Sequence, residues 1–400
     1  MRIAQLAPPF ERVPPACYGG TERVVHALTE ELVRRGHDVT LFASGDSTTS
    51  ARLVPTVPVA LWHDRRFADP GAFWSIAVAR VYDRAEEFDL IHSHVDYHAF
   101  PAARLVRTPT VTTLHGRLDL PELPPLFDQF PDMWVVSISD AQRRPLPRAR
   151  WAGTVHNGVA LAELPPSFAP GRYLAFLGRI SPEKGVDRAV EVARRAGMPL
   201  KVAARMPLRN QDDPGTRRDR EYFEQVVRPL FAEPFVEYVG ELGGEDKSRF
   251  LRGAAALLFP IDWPEPFGLA MIEAMASGTP VVARGLGSVP EVVRDGETGF
   301  IRDTVAEMAA ACRELSRIDR RVCREHAERR FSAQAMADGY EAVYRRVLEA
   351  AAGTDYTARH RSFGGVPPVP LPAARGVPAE PLGGGGAPPP PTPAAAGAGG

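Results

Sequence analysis

Cysteine is nearly missing from this sequence. Cys17, Cys312 and Cys323 are three in 400 residues, an odd number in no metal-like spacing. That excludes a disulfide scaffold or a cysteine zinc site and suits a reducing, cytoplasmic compartment. Long apolar runs are missing too. No stretch approaches the roughly 20 apolar residues of a membrane span. The opening Met1-Arg2-Ile3-Ala4-Gln5-Leu6-Ala7-Pro8-Pro9 is too short and too polar for a signal peptide and reads as a first strand. The third absence is an excess of charge of one sign. A formal net charge of −1 gives no electrostatic reason to expect nucleic acid as a partner, and the pairs Arg143-Arg144, Arg217-Arg218 and Arg320-Arg321 read as solvated faces.

What is present is an ordinary globular composition, 44% hydrophobic and 24% charged, long enough for two domains. Arg2 to Ala7 reads as a strand, the apolar stripe Val24, Val25, Leu28 and Leu32 as a helix from Thr21 to Arg35 stopped by Gly36, and Val39 to Ala43 as the returning strand. That is a βαβ unit of a parallel sheet. A helical segment from Gly71 to Phe88 follows, then strands at 89–94, 109–114 and 134–137, a helix N-capped by Ser139, and a short strand in Thr154–Val159. The same grammar restarts at Tyr173–Leu177, with strands at 200–204, 235–240, 255–259 and 280–283. The resulting reading is residues 1–160 as one Rossmann-like α/β domain, 161–171 as linker and 172–331 as a second such domain. A last helix over 332–352 has Tyr340, Val343, Tyr344 and Val347 as its apolar face, and a Pro/Ala/Gly-rich tail over 353–400 cannot bury enough surface to order itself. Two such sheets in series face one another across a cleft, with ligand loops at their strand ends. Arg205 to Arg220 reads as a polar surface loop.

The richest stretch is Trp263-Pro264-Glu265-Pro266-Phe267-Gly268-Leu269, continuing through Glu273 to Ser277-Gly278-Thr279-Pro280. A buried strand, a Pro-rich loop and a helix opened at Gly268 make a sheet-edge corner, and the free N–H groups of a helix start are a ready anion site. Glu265 and Glu273 stand about 12 Å apart along a helix axis, too far for the carboxyl pair of a glycoside hydrolase. Two separated acceptors suit two hydroxyl-bearing parts of one long ligand, such as a sugar and a ribose joined by a pyrophosphate.

This stretch resembles the E-x7-E element of retaining GT-B glycosyltransferases of family 4, also called glycosyl transferases group 1. Gly178-Arg179-Ile180-Ser181-Pro182-Glu183-Lys184-Gly185 resembles the same family's G-R-x-x-x-E-K-G element. The resemblance covers about residues 1–350 and implies a retaining hexosyltransferase of the EC 2.4 class, acting in polysaccharide biosynthesis or a related pathway. It would move a sugar from a nucleoside-diphosphate donor, without cofactor or metal, to a glycan, lipid-linked or small-molecule acceptor. A lipid-linked acceptor would bring peripheral contact with the inner membrane face. By the resemblance Arg179 and Lys184 hold the donor diphosphate, and Glu265 takes a hydroxyl of the donor sugar. Backbone N–H groups at Phe267, Gly268 and Leu269 receive phosphate or sugar, Glu273 takes the ribose, and His115 stands beside the transferred sugar. Gly19 and Gly20 form the first-domain glycine loop.

Three alternatives stand beside this. His92-Ser93-His94-Val95-Asp96-Tyr97-His98 approaches the H-x-H-x-D-H cluster of binuclear zinc hydrolases, with its last histidine displaced by one residue. A zinc-dependent hydrolase would use His92, His94 and Asp96. A sugar-nucleotide epimerase on the same fold would need no acceptor, and a non-catalytic sugar-nucleotide binder would not need His115.

Overall fold

The computed structural model describes residues 1–62, 69–207 and 214–352. The tail over 353–400 and the middle of the Arg205–Arg220 segment lie outside the described residues. Two parallel sheets carry the chain. The first has seven strands in the order β3-β2-β1-β4-β5-β6-β7: β1 Arg2–Leu6, β2 Asp38–Ser44, β3 Arg52–Val57, β4 Leu90–Ser93, β5 Thr110–Thr113, β6 Trp134–Ser137 and β7 Trp151–Thr154. The second has six, β10-β9-β8-β11-β12-β13: β8 Leu174–Arg179, β9 Leu200–Arg205, β10 Val236–Gly240, β11 Ala256–Phe259, β12 Val281–Ala283 and β13 Gly299–Ile301. Central strands such as β11 and β12 are buried along their whole length, which is why they read as unbroken apolar runs.

Sheet order decides where a ligand can sit. Each sheet reverses direction once, between β1 and β4 and between β8 and β11. The crevice outside the carboxyl ends of those strands is the binding position of a doubly wound sheet. The loops after β1, β8 and β11 are the ones that carry Gly19-Gly20, Arg179 with Lys184, and Glu265 to Gly268.

The last helix, Ala333–Ala352, completes a core that is not its own sheet's. Its Tyr340, Val343, Tyr344 and Val347 pack with Ile3, Val24, Leu28, Leu32 and Leu90 of the first sheet and the Gly20–Arg34 helix. Arg35 ties the same helix from outside through Asp338 at 2.7 Å.

Four expectations need correction. The short strand placed at Thr154–Val159 lies three residues earlier, at Trp151–Thr154, and Val159 instead bridges to Ser332 where the last helix begins. Edge strands β3 and β13 were not expected, the first because Pro55 interrupts it and the second because it is three residues long. The segment read as a surface loop is helical from Pro214 to Tyr222, and its first residue, Arg205, ends β9 at the cleft. Arg320 is no solvated arginine: it is buried and donates to the carbonyl oxygens of Ser167 at 2.9 Å and Ala254 at 2.8 Å, and to Thr279 Oγ1 at 2.8 Å. Its guanidinium thereby takes up loop carbonyls that would otherwise lie unpaired.

Candidate active site

A cleft of about 450 Å³ opens between the strand ends of the two sheets, and every residue singled out for ligand binding lines it: Gly19, Gly20, His115, Arg179, Lys184, Glu265, Phe267, Gly268, Leu269 and Glu273. The wall on the second sheet is built from ion pairs. Lys184 Nζ donates to Glu265 Oε2 at 2.5 Å, the indole N–H of Trp263 donates to the same oxygen at 3.0 Å, and the Lys184 ammonium stands 5.1 Å from the Trp263 ring centre. Arg179, the last residue of β8, is held by Glu183 at 2.7 Å and lies 3.6 Å from Asp219. Gly268 takes a left-handed φ of +82°, and a Cβ there would come within 2.7 Å of Met271 Cε and 3.0 Å of Phe259. Only glycine opens the Leu269–Ala276 helix at that angle. One and a half turns on, Glu273 is buried, not solvent-facing, and accepts from Lys247 Nζ at 2.5 Å, with Arg23 Nε 3.5 Å away.

The wall on the first sheet is built differently. Gly19 starts the Gly20–Arg34 helix where a Cβ would meet Pro15 Cβ at 2.6 Å, and Gly20 is one carbon from contact with Leu269 across the cleft. His115 follows β5 and is held by its Nε2, 2.9 Å from His94 Nδ1. Burial lowers the His115 pKa to about 4 and pushes those of His92 and His94 well below the usual histidine value, so all three rings are neutral at pH 7. Burial also raises the Asp96 carboxyl to about 6 and that of Glu22 to about 7.

The zinc alternative meets this geometry poorly. His92 places Nδ1 2.7 Å from the Tyr344 hydroxyl and Nε2 2.7 Å from Thr113 Oγ1, while His94 Nε2 lies 2.7 Å from Gln5 Oε1. Asp96 accepts the His115 backbone N–H at 3.3 Å. Both histidines spend both nitrogens on protein partners. Among the described residues no three His, Cys, Asp or Glu side chains stand where they could hold one metal ion.

Several cleft residues escaped the sequence reading. Lys247 sits on the Gly244–Arg252 helix with nothing in its neighbours to mark it as the partner of Glu273. Arg23 and Glu22 were reachable, since they lie in the first turn of the helix that Gly19 opens. Arg205 was reachable too: it ends β9 as Arg179 ends the adjacent β8, and the two are register partners. Its guanidinium lies over the rings of Tyr18 and Trp62 at 5.5 and 5.1 Å, joining the two walls.

Sequence comparison matches each half separately. The profile described as Glycosyltransferase Family 4 matches residues 18–162, and that described as Glycosyl transferases group 1 matches residues 166–330. The chain is a GT-B glycosyltransferase of group 1. This glycosyltransferase is 28% identical over 359 residues to the glycogen synthase of Mycobacterium tuberculosis, covering 76% of this chain and 83% of that one. It is 26% identical over 339 residues to the D-inositol 3-phosphate glycosyltransferase of Streptomyces scabiei, covering 71% and 75%. The Anabaena protein HepE, solved in complex with UDP and glucose, shares the fold with a TM-score of 0.62 at 18% identity, over 88% of this chain and 99% of that one. The glycosyltransferase is thus an enzyme of the EC 2.4 class. Among its described residues no helix is long and apolar enough to cross a membrane.

Proposed function

We propose that this glycosyltransferase moves a sugar from a nucleoside-diphosphate donor to an acceptor hydroxyl with retention at the anomeric carbon, needing no metal. The observation that carries this reading is a row of cations held by carboxylates along one wall of the cleft, Arg179 by Glu183, Lys184 by Glu265 and Lys247 by Glu273, with Glu265 and Glu273 well separated. A diphosphate lying along Arg179, Lys184 and the first N–H groups of the Leu269–Ala276 helix would leave its sugar at Glu265 and its ribose at Glu273. The donor chemistry is supported by a solved protein of the same fold that binds UDP and glucose.

In the transfer the bond from C1 to the diphosphate oxygen breaks and a bond from C1 to the acceptor oxygen forms on the same face. The acceptor proton passes to the departing phosphate oxygen. Charge grows on that oxygen as the bond stretches, and fixed cations stabilise it more in the transition state than in the ground state. No protein nucleophile is required, in keeping with the wide spacing of the two glutamates. Both hydrogen bonds that the Glu265 carboxylate accepts fall on Oε2, so Oε1 is the oxygen that takes a sugar hydroxyl. His115 presents a neutral ring to the uncharged sugar.

The acceptor lies against the first-domain wall, and its class is a glycan, a lipid-linked precursor or a small molecule. The two curated relatives differ on this point by their names, one a glycogen synthase and the other acting on an inositol phosphate. A thermal-shift series with UDP-, GDP- and ADP-sugars tests the donor site, because a ligand at 100 times its Kd stabilises by about 2.7 kcal/mol. One nucleotide should raise the melting temperature, and Glu273→Ala and Lys184→Ala should abolish the rise. Once an acceptor is found, NMR of the product's anomeric configuration decides retention, and an inverted product would sink the front-face mechanism.

A further inference from the structure

Six hydrogen bonds join the cleft histidine to the last helix of the chain. His115 Nε2 meets His94 Nδ1 at 2.9 Å, and His94 Nε2 meets Gln5 Oε1 at 2.7 Å. Gln5 Nε2 donates to the Tyr344 hydroxyl at 3.2 Å, which lies 2.7 Å from His92 Nδ1. His92 Nε2 reaches Thr113 Oγ1 at 2.7 Å, and Thr113 is closed off by the Tyr340 hydroxyl at 2.9 Å. Gln5, His92, His94, Thr113, Tyr340 and Tyr344 are all buried.

The order of protons along this chain follows from what each atom can do. With the Gln5 amide turned so that its oxygen faces His94 and its nitrogen faces Tyr344, His94 carries its proton on Nε2, because an amide oxygen only accepts. In a neutral ring Nδ1 is then bare, and the only way to fill it is for His115 to donate from Nε2. At the other end the Gln5 amide nitrogen donates to Tyr344, Tyr344 donates to His92 Nδ1, and His92 donates from Nε2 to Thr113. Every donor meets an acceptor. Reversing any one of the five bonds from His115 to Thr113 would leave a buried donor or acceptor unpaired in a dry interior, whereas the hydroxyl pair Thr113–Tyr340 can run either way. The five bonds from His115 to Thr113 can reverse only together, with the Gln5 amide turned over, and the Tyr344 hydroxyl, whose own proton must go either to His92 or to Gln5, is the link between the two halves.

We propose that Tyr344, Gln5 and His94 are positioning residues that fix the proton of His115 on Nε2, leaving Nδ1 bare as a hydrogen-bond acceptor for a hydroxyl of the transferred sugar. Among the described residues Nδ1 has no protein partner, and the ring borders the cleft. The helix that supplies Tyr344 follows the second domain in the chain, so a residue coming after the donor-binding half sets the proton order in the half that faces the acceptor. The assignment of the sugar to His115 rests on the function proposed above; the tautomer does not.

The test is nitrogen NMR of the full chain labelled with 15N-histidine, without ligand, which separates protonated from bare ring nitrogens. The chain has ten histidines, and the signals of His115 are those lost in His115→Gln. The wild type should show one His115 tautomer, Nε2 protonated and Nδ1 bare. Tyr344→Phe keeps the ring and removes only the link, and should give a mixture of tautomers. In glycosyl transfer it should lower kcat about tenfold, the size of loss seen when an outer partner orienting a histidine is removed, with the donor KM within twofold. Should Tyr344→Phe not fold, Gln5→Met removes the acceptor for His94 and should release the same tautomer. A wild-type His115 protonated on Nδ1, or a single unchanged tautomer in the folded variant, overturns the proposal. Because the spectrum is read on unliganded protein, an enzyme that transfers no sugar but shows the locked tautomer would refute the functional reading and leave this one standing.

Discussion

The two walls of the cleft solve the same problem, burying polar groups beside a ligand, by opposite means. The second-domain wall keeps its groups charged and pairs them: Lys184 with Glu265, Lys247 with Glu273, Arg179 with Glu183. On the first-domain wall burial shifts groups towards their uncharged forms: it lowers the pKa values of His92, His94 and His115 and raises the Glu22 and Asp96 carboxyls to about 7 and 6, with Arg23 alone reaching across to Glu273. A diphosphate needs fixed countercharge that costs nothing to reorganise. A sugar or hydroxyl acceptor needs directed hydrogen bonds, and a stray charge there would only attract water.

That contrast can be broken most sharply at Lys184. Lys184→Ala should lower turnover on the order of 10²–10³-fold, as for loss of one transition-state charge donor; steady-state rates equal to the parent's would remove the charged wall from the mechanism. Next is Lys247→Met, which leaves Glu273 buried beside Arg23 alone. It should cost about 3 kcal/mol in urea unfolding, since breaking a buried pair strands a charge, and a change within error would mean that Arg23 compensates fully.

Glu22 tests the uncharged wall. Its folded pKa of about 7 stands above the ordinary 4.5 because of burial, so the folded protein keeps a proton that the unfolded chain gives up. Stability is therefore greatest below pH 4.5 in this respect and falls as pH rises to about 7, by on the order of 2–3 kcal/mol. Glu22→Gln should erase that fall, and the gap between variant and parent in melting temperature should widen from pH 5 to pH 8. A constant gap would place Glu22 in the charged class. The smallest effect is at His115, whose ring should stay neutral until about pH 4. Its contribution to stability is lost as pH falls from 6.5 towards 4, and an NMR titration midpoint near 6.5 would show a ring far wetter than the structure has it.

The architecture was legible because parallel strands buried on both faces leave unbroken apolar runs and amphipathic helices leave stripes, as at β11 and the Gly20–Arg34 helix. β3 and β13 were not legible: an edge strand broken by Pro55 and one of three residues carry too few side chains to show a period. The site was legible where a loop must satisfy a local demand, such as the turn at Gly268 before the Leu269–Ala276 helix. Lys247 was not, since its meaning comes from Glu273, 26 positions away and adjacent only after folding. The His92–His94 pattern left a zinc alternative open for a related reason: metal ligands and hydrogen-bond relays use the same residues, and only Tyr344 and Gln5, far off in sequence, tell them apart.

The placement of the last helix also carries a consequence for how the protein is made. Chains emerge from the ribosome amino end first, and domains generally fold as they appear. Here the first sheet emerges with one side of its interior open, because Tyr340, Tyr344 and Val347, which fill it, are synthesised after the entire second sheet. The amino-terminal half must wait, nascent and incomplete, while the later half is translated, and a ribosome stalled before residue 333 would hold a finished second domain beside an unfinished first.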